Sequence, residues 1–205
     1  MSILAKLASQ SGDRTAEPNK RVVALVLQEP ALLAEIAPGL ESADAKLVGD
    51  CAEVMTMVAA TRPELVVPYA AALIARLDDR DKRVRWETVH SLAEIAARAP
   101  DVITPLVRKL DEKIALDRSV IVRDYAILTL GEYGATSQAA ARRVWPHLRQ
   151  ALLLWEGKHV GKALAAMLKL VKADPALKIE AEKVARQFAD HKQASVRTAA
   201  KRLLK

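Results

Sequence analysis

The residue types that most often carry catalysis or bind metal are scarce in this chain and stand far apart. Its one cysteine, Cys51, lies among apolar residues at helical spacing, which predicts a buried thiol. The segment EGKHVGK, 156–162, is not a phosphate-binding P-loop, because Glu156 replaces the first glycine and neither Ser nor Thr follows Lys162. None of the histidines belongs to a HExxH zinc motif. They are His90, His147, His159 and His191. We therefore expect no catalytic, cofactor-binding or metal-binding site and predict that the chain is not an enzyme.

Residues suited to contact a partner are more numerous. A tryptophan and a histidine stand four positions apart, so a helix places one above the other. The lysines of 158–172 fall within about 80° of one helical face at 100° per residue, and an arginine extends this stripe onto the last helix. The tryptophan is either a packing residue or a binding platform. The stripe is either a solvated face or a contact for phosphates or an acidic protein surface. The predicted partner-binding residues are Trp86, His90, Lys158, Lys162, Lys169, Lys172 and Arg202.

Charge is unevenly distributed along the chain. The formal net charge is +7, from 32 basic and 25 acidic side chains. Residues 138–205 hold 15 of the basic and 5 of the acidic ones, which gives 15 − 5 = +10. Residues 1–137 hold the remaining 17 and 20, which gives −3. This asymmetry predicts a partner that is acidic toward the C-terminal end, either a protein or peptide or a nucleic acid.

The elements that must position these residues repeat along the chain. Prolines at 30, 63, 100 and 175, with Ser137 between the last two, divide it into similar lengths. In each length a valine marks the start of the second of two predicted helices. These valines are Val48, Val84, Val122, Val160 and Val196, spaced 36 to 38 residues apart.

Each repeat is predicted to be a pair of amphipathic helices, because apolar residues recur at helical spacing and no alternating strand pattern occurs. The predicted pairs are 30–42 with 43–62, 64–79 with 81–100, 101–117 with 118–134, 138–157 with 158–174, and 176–192 with 193–205. An apolar helix at about 19–29 precedes them. Residues 1–18 form an N-terminal segment, a short helix plus a loop, whose order the sequence leaves open. Residues 19–205 are predicted to form a single repeat domain.

The frame of these pairs resembles the HEAT-repeat family. The residues that carry the resemblance are the prolines between pairs, the aspartate of LDD (Asp79) or LD (Asp117), and the Val-Arg step about five residues later. The resemblance implies an all-α fold, a right-handed α-α superhelix (solenoid) of about five HEAT-like helix pairs. It also implies that Arg85, Arg123 and Arg197 pair with Asp79, Asp117 and Asp190 in a ladder between stacked repeats.

A shorter stretch, WETVHSLA at 86–93, resembles the HEAT-like alkylpurine DNA glycosylases. His90 stands where that family has its catalytic aspartate, and a histidine cannot supply a carboxylate to a cationic sugar. The resemblance therefore implies DNA binding without base excision.

These observations give one main functional prediction and its alternatives. The main prediction is a non-enzymatic HEAT-repeat scaffold that binds a protein or peptide on its concave face. The alternative is a nucleic-acid-binding protein related to the DNA alkylation repair proteins but lacking the catalytic carboxylate. An enzyme or enzyme subunit is a third hypothesis. The sequence has no cleavable leader pattern and no long apolar run, so we expect a cytoplasmic protein without a membrane partner.

Overall fold

Helices account for the regular structure of the chain. The computed structural model describes residues 2–13 and 15–205, and within these ranges it contains no strand. The predicted all-α class is therefore confirmed. The chain groups into two compact units, residues 1–99 and 100–205, which are called unit 1 and unit 2. No described helix has both the length and the apolar composition needed to cross a bilayer.

Unit 1 holds the N-terminal segment, a lone helix and two helix pairs. Its α-helices are α1 (Ala8–Ser11), α2 (Glu17–Gln28), α3 (Leu33–Ile36), α4 (Ala45–Thr61), α5 (Pro63–Val66), α6 (Ala70–Ile74) and α7 (Lys82–Ala96). Short 3₁₀ helices lie at Ile3–Lys6, Pro30–Leu32, Ala37–Glu41 and Val67–Tyr69.

Unit 2 holds three further pairs. Its α-helices are α8 (Pro100–Ile103), α9 (Val107–Leu116), α10 (Val120–Gly134), α11 (Gln138–Ala151), α12 (Val160–Ala173), α13 (Lys178–Arg186) and α14 (Ala194–Leu203). Its 3₁₀ helices lie at Thr104–Leu106, Leu154–Gly157 and Pro175–Leu177.

The second helix of each pair begins near the predicted valine. We call α4, α7, α10, α12 and α14 the second helices. The five marker valines are all at most 2% exposed. Side-chain caps fix several starts: Asp81 accepts from the backbone N–H of Arg83 at 2.6 Å, and Ser119 accepts from Val122 at 3.5 Å. The predicted second helices are thus confirmed, and the marker valine of each lies on its buried face.

The first helices of three pairs are broken, which the sequence analysis did not predict. Pro38, Pro68 and Pro105 each lie in a 3₁₀ helix within a stretch expected to be one helix. Proline lacks the N–H that an α-helix needs and its ring clashes with the preceding turn, so the helix tightens or ends there. Pro146 is tolerated inside α11.

Within each unit the second helices pack side by side. In unit 1, α4 lies between α2 and α7, and the hydroxyls of Thr56 and Ser91 are 2.6 Å apart across α4 and α7. In unit 2, α12 lies between α10 and α14. A Cβ built on Gly131 would be 2.8 Å from that of Ala166, so α10 and α12 approach closely only because position 131 is glycine.

The described part of the N-terminal segment packs against the first repeat. Leu7 is fully buried and Ile3 is 4% exposed. The backbone N–H of Ala8 donates to Oδ1 of Asn19 at 2.9 Å, and that of Ser9 donates to Oδ2 of Asp50 at 2.7 Å. These contacts give residues 2–13 a defined place in unit 1.

The Val-Arg arginines share a contact with backbone carbonyls that the resemblance did not predict. Arg85 donates to the backbone carbonyl of Asp79 at 2.9 Å, and Arg123 donates to that of Asp117 at 2.6 Å. Arg197 donates to the carbonyl of His191 at 2.8 Å, not to Asp190. Each acceptor lies six residues before its arginine. These guanidinium groups therefore hold the loop that precedes their own helix, because backbone carbonyls outside regular helical hydrogen bonding need other donors.

Candidate functional site

Trp86 and His90 lie on the same side of α7, as their spacing predicts. The indole N–H of Trp86 donates to Oε1 of Glu87 at 2.7 Å, and Nε2 of His90 is 3.2 Å from Oε1 of Glu94. Both rings are half-buried. Burial lowers the pKa of His90, although Glu94 opposes this shift, so burial favours the neutral imidazole. The pair offers a partner a half-exposed aromatic surface flanked by carboxylates.

A polar network lies beside this face in unit 1. Arg83 donates to Oδ1 of Asp50 at 2.7 Å and to Oε2 of Glu53 at 2.9 Å, and Asn19 donates to the same two carboxylates. Burial alone would raise the pKa of Asp50, but hydrogen bonds from Ser9, Arg83 and Asn19 hold it below its usual value. The network borders an open pocket of about 750 Å³. Its carboxylates are already satisfied within the fold, so it fixes the N-terminal segment in place.

A smaller and more apolar groove lies between α10 and α12 in unit 2. Its volume is about 210 Å³. The lining residues are Asp124, Tyr125, Ile127, Leu128, Gly131, Lys162, Ala165, Ala166 and Lys169. We call this space the α10–α12 groove. Two of the predicted partner-binding lysines, 162 and 169, are thus brought to one site.

The predicted lysine stripe is only partly a helical face. Lys158 precedes α12, which begins at Val160, so the expectation that it shares the helix with the other lysines is wrong. Lys162 lies 3.6 Å from Oδ2 of Asp124, and Lys169 pairs with Glu132. Lys172 lies in the last turn of α12 and is exposed. Arg202 is likewise exposed, in the last turn of α14.

Asp124 of the groove also belongs to a buried network that the sequence analysis did not predict. Nε of Arg123 donates to Nε2 of His159 at 2.8 Å, and Nδ1 of His159 is 2.8 Å from Oδ1 of Asp124. The guanidinium of Arg123 stacks on Trp155 at 3.8 Å from the ring centroid. Arg123 and His159 are 2% and 1% exposed. The one hint in the sequence was that His159 directly precedes the marker valine Val160. Its partners, Arg123 and Asp124, lie on α10 and could not be identified from that position.

The hydrogen-bond pattern indicates which ring nitrogen of His159 carries the proton. Arg123 only donates, so Nε2 of the ring must accept and carries no proton. The ring proton is therefore on Nδ1 and is donated to Asp124. His159 is a neutral link that fixes the orientation of the Asp124 carboxylate.

The loop before α12 has an unusual backbone. Trp155 and Glu156 have φ values of 53° and 55°, and Gly157 follows with 73°. Left-handed residues other than glycine each cost roughly 1 to 2 kcal/mol. The indole N–H of Trp155 donates to the carbonyl of Ile114 at 2.9 Å, which holds the strained turn and its ring over Arg123.

Comparisons with known proteins bear on the fold. No family model and no curated protein matches the chain. A designed armadillo repeat protein in complex with the peptide (KR)₄ aligns with a TM-score of 0.77 at 14% identity, over 98% of this chain and 96% of that one. The chain has an armadillo- and HEAT-like helical-repeat fold. A second designed armadillo repeat protein aligns with a TM-score of 0.68 at 18% identity, over 99% and 90% of the two chains. An engineered protein aligns with 0.73 at 20%, over 99% and 88%. The helical-repeat solenoid fold expected from the sequence is confirmed.

Proposed function

We propose that this helical-repeat protein is a non-catalytic scaffold that binds a protein or peptide partner on the concave side formed by its second helices. The observation that carries the proposal is the α10–α12 groove, an apolar trough of about 210 Å³ with Lys162 and Lys169 in its lining. Binding sites combine an apolar surface with a few placed polar groups, and this groove has both. The (KR)₄ complex of a structural neighbour supports peptide binding as a use of such a fold.

Unit 1 contributes Trp86 and His90 to the proposed function. The half-buried indole gives apolar contact area at a small cost in conformational entropy, and tryptophan is enriched at the energetic centres of interfaces. His90 adds a polar group one turn further along α7. In unit 2 the contacts are Lys158, Lys162, Lys169, Lys172 and Arg202.

Selection from a displayed random peptide library on the immobilised full chain tests the proposal. We expect enriched peptides whose binding falls in Trp86→Ala or Lys162→Glu. Binding should persist in Lys183→Glu, a matched charge reversal at an exposed position on α13. If no peptide is enriched, or if Lys183→Glu weakens binding as much as Lys162→Glu, the proposal is overturned.

Nucleic-acid binding is the second candidate function. It is favoured by the +10 charge of residues 138–205 and by the exposed cations Lys158, Lys172 and Arg202. Phosphate contacts make affinity fall steeply with salt. Fluorescence polarisation with duplex, nicked and single-stranded DNA at low and physiological salt tests it. Salt-sensitive binding that Lys172→Glu weakens would support this candidate, and no binding at low salt would eliminate it.

A further inference from the structure

The shape of the α10–α12 groove limits what it can hold. A volume of about 210 Å³ is below the range of roughly 300 to 1,000 Å³ typical of sites for drug-sized molecules. Most of its lining is apolar, with Tyr125 and Leu128 from α10 and Ala165 and Ala166 from α12. A space of this size and character suits one large aliphatic or aromatic side chain.

The Lys162 ammonium at this groove can pair with a carboxylate in addition to that of Asp124. Its ammonium lies 3.6 Å from Oδ2 of Asp124, beyond hydrogen-bond distance. The buried His159 orients this carboxylate, because its Nδ1–H donates to the other oxygen, Oδ1, at 2.8 Å. Asp124 therefore attracts Lys162 without saturating its three N–H donors. The Lys162 side chain is 59% exposed.

The lysine–carboxylate pairs at this groove favour a peptide over a nucleic acid. A phosphate backbone carries a charge on every nucleotide. At this groove it would meet the carboxylate of Asp124, which faces Lys162, and that of Glu132, which pairs with Lys169. A peptide can place isolated carboxylates beside the lysines and an apolar side chain between them. The surroundings also favour an acidic partner, because residues 100–205 hold 20 basic and 11 acidic side chains, or 20 − 11 = +9.

We infer that the α10–α12 groove binds an acidic peptide segment whose one large apolar side chain fills the groove while flanking carboxylates pair with Lys162 and Lys169. His159 acts as a positioning residue by fixing Asp124. This inference rests on the proposed scaffold function and specifies its partner in unit 2.

Fluorescence polarisation with labelled synthetic peptides tests the inference on the full chain. The probe carries one Leu flanked on each side by a single Glu in a Ser–Gly background. One control peptide replaces Leu by Ala, and the other replaces each Glu by Gln. We expect each control to bind about tenfold more weakly or worse, which corresponds to a loss of about 1.4 kcal/mol or more. A single-stranded oligonucleotide should not displace the probe at physiological salt.

Two variants at the groove, each with a matched control elsewhere in unit 2, locate the site. Ala165→Phe fills the groove from an exposed position, and Ala139→Phe makes the same change at an exposed position on α11. We expect Ala165→Phe and Lys162→Glu to weaken probe binding by about tenfold or more, and Ala139→Phe and Lys183→Glu to leave it unchanged. Circular dichroism and thermal melting confirm that each variant is folded.

The outcomes separate the inference from the proposed function. If library selection enriches peptides but the probe does not bind, or binds equally well after Leu→Ala, Glu→Gln or Ala165→Phe, the inference is overturned and the scaffold function stands. If library selection enriches nothing, the scaffold function itself fails. Displacement of the probe by the oligonucleotide would overturn the inference in favour of nucleic acid.

Discussion

At the scale of single residues, His159 connects the buried interior of unit 2 to its surface. Its ring accepts from Arg123 and donates to Asp124, so both charged neighbours depend on it. Asp124 in turn faces Lys162 at the groove. A change at this buried ring is therefore expected to alter both the stability of the chain and the position of Lys162.

The first prediction concerns removal of this ring. His159→Ala leaves the guanidinium of Arg123 without its ring acceptor and Asp124 without a buried donor, which should lower the free energy of unfolding by about 2 to 4 kcal/mol. His147→Ala is the control: its ring pairs with Asp111 at 3.1 Å but is 27% exposed, so we expect a loss of about 1 kcal/mol or less. Urea denaturation followed by circular dichroism measures both. Equal losses in the two variants would show that the buried network is not formed.

The second prediction concerns pH and the Asp50 network of unit 1. Because hydrogen bonds lower the folded-state pKa of Asp50, its contribution to stability is complete above the unfolded-state pKa of about 3.9. The contribution is lost as the pH falls through the lower folded-state value. Asp50→Asn should therefore cost about 2 to 4 kcal/mol at neutral pH and less at about pH 3. Urea midpoints at both pH values measure the difference, and a cost that is the same at both would contradict the assignment.

The third prediction concerns Cys51. Burial, with a smaller effect of Asp50, raises the pKa of its thiol to about 12. Since the thiolate is the reactive form, we expect no reaction with a disulfide reagent in the folded chain at mildly alkaline pH and rapid reaction after denaturation. Absorbance of the released thiolate measures both rates. Rapid labelling without denaturant would show that Cys51 is not in the core.

At the scale of elements, the loop of Trp155, Glu156 and Gly157 sets where α12 begins. Its left-handed residues turn the chain so that Trp155 covers Arg123 and the helix starts only at Val160. Strain of this kind persists only where neighbouring contacts hold it. Here the indole N–H of Trp155, bound to the carbonyl of Ile114, provides such a contact.

The fourth prediction uses a matched pair of substitutions in this loop. Glu156→Gly removes the penalty of a left-handed glutamate at an exposed position and should stabilise the chain by about 0.5 to 1 kcal/mol. Gly157→Ala introduces the same penalty and places a Cβ 3.3 Å from Val160, so it should destabilise by about 1 to 2 kcal/mol. Thermal melting measures both. The opposite sign in either variant would contradict the backbone description.

The sequence predicted the second helices well and their surroundings less well. Val84 and Val122 marked helix starts because a buried position at the first turn recurs in every repeat, and such a local pattern is visible in one dimension. The breaks in the first helices at Pro68 and Pro105 follow from proline chemistry, although the helical spacing of the apolar residues predicted one continuous helix in each case. The pairing of His159 with Arg123 was not readable, because it joins residues 36 positions apart through packing of α10 on α12.

At the scale of the whole molecule, the two units differ in charge. Residues 1–99 hold 12 basic and 14 acidic side chains, or 12 − 14 = −2, against +9 for residues 100–205. The candidate contacts follow this division, with an aromatic ring beside carboxylates on α7 and lysines beside an apolar groove on α12. A scaffold of this kind is expected to select partners by local charge as well as by apolar contact.

An NMR titration of the ¹⁵N-labelled full chain with a peptide from the library selection tests whether the second helices form the binding surface. We expect the amide shifts to concentrate on the second helices, with those of Leu128, Lys162 and Ala165 among the largest. Shifts concentrated on α11 and α13, or shifts caused by DNA and not by peptide, would contradict it.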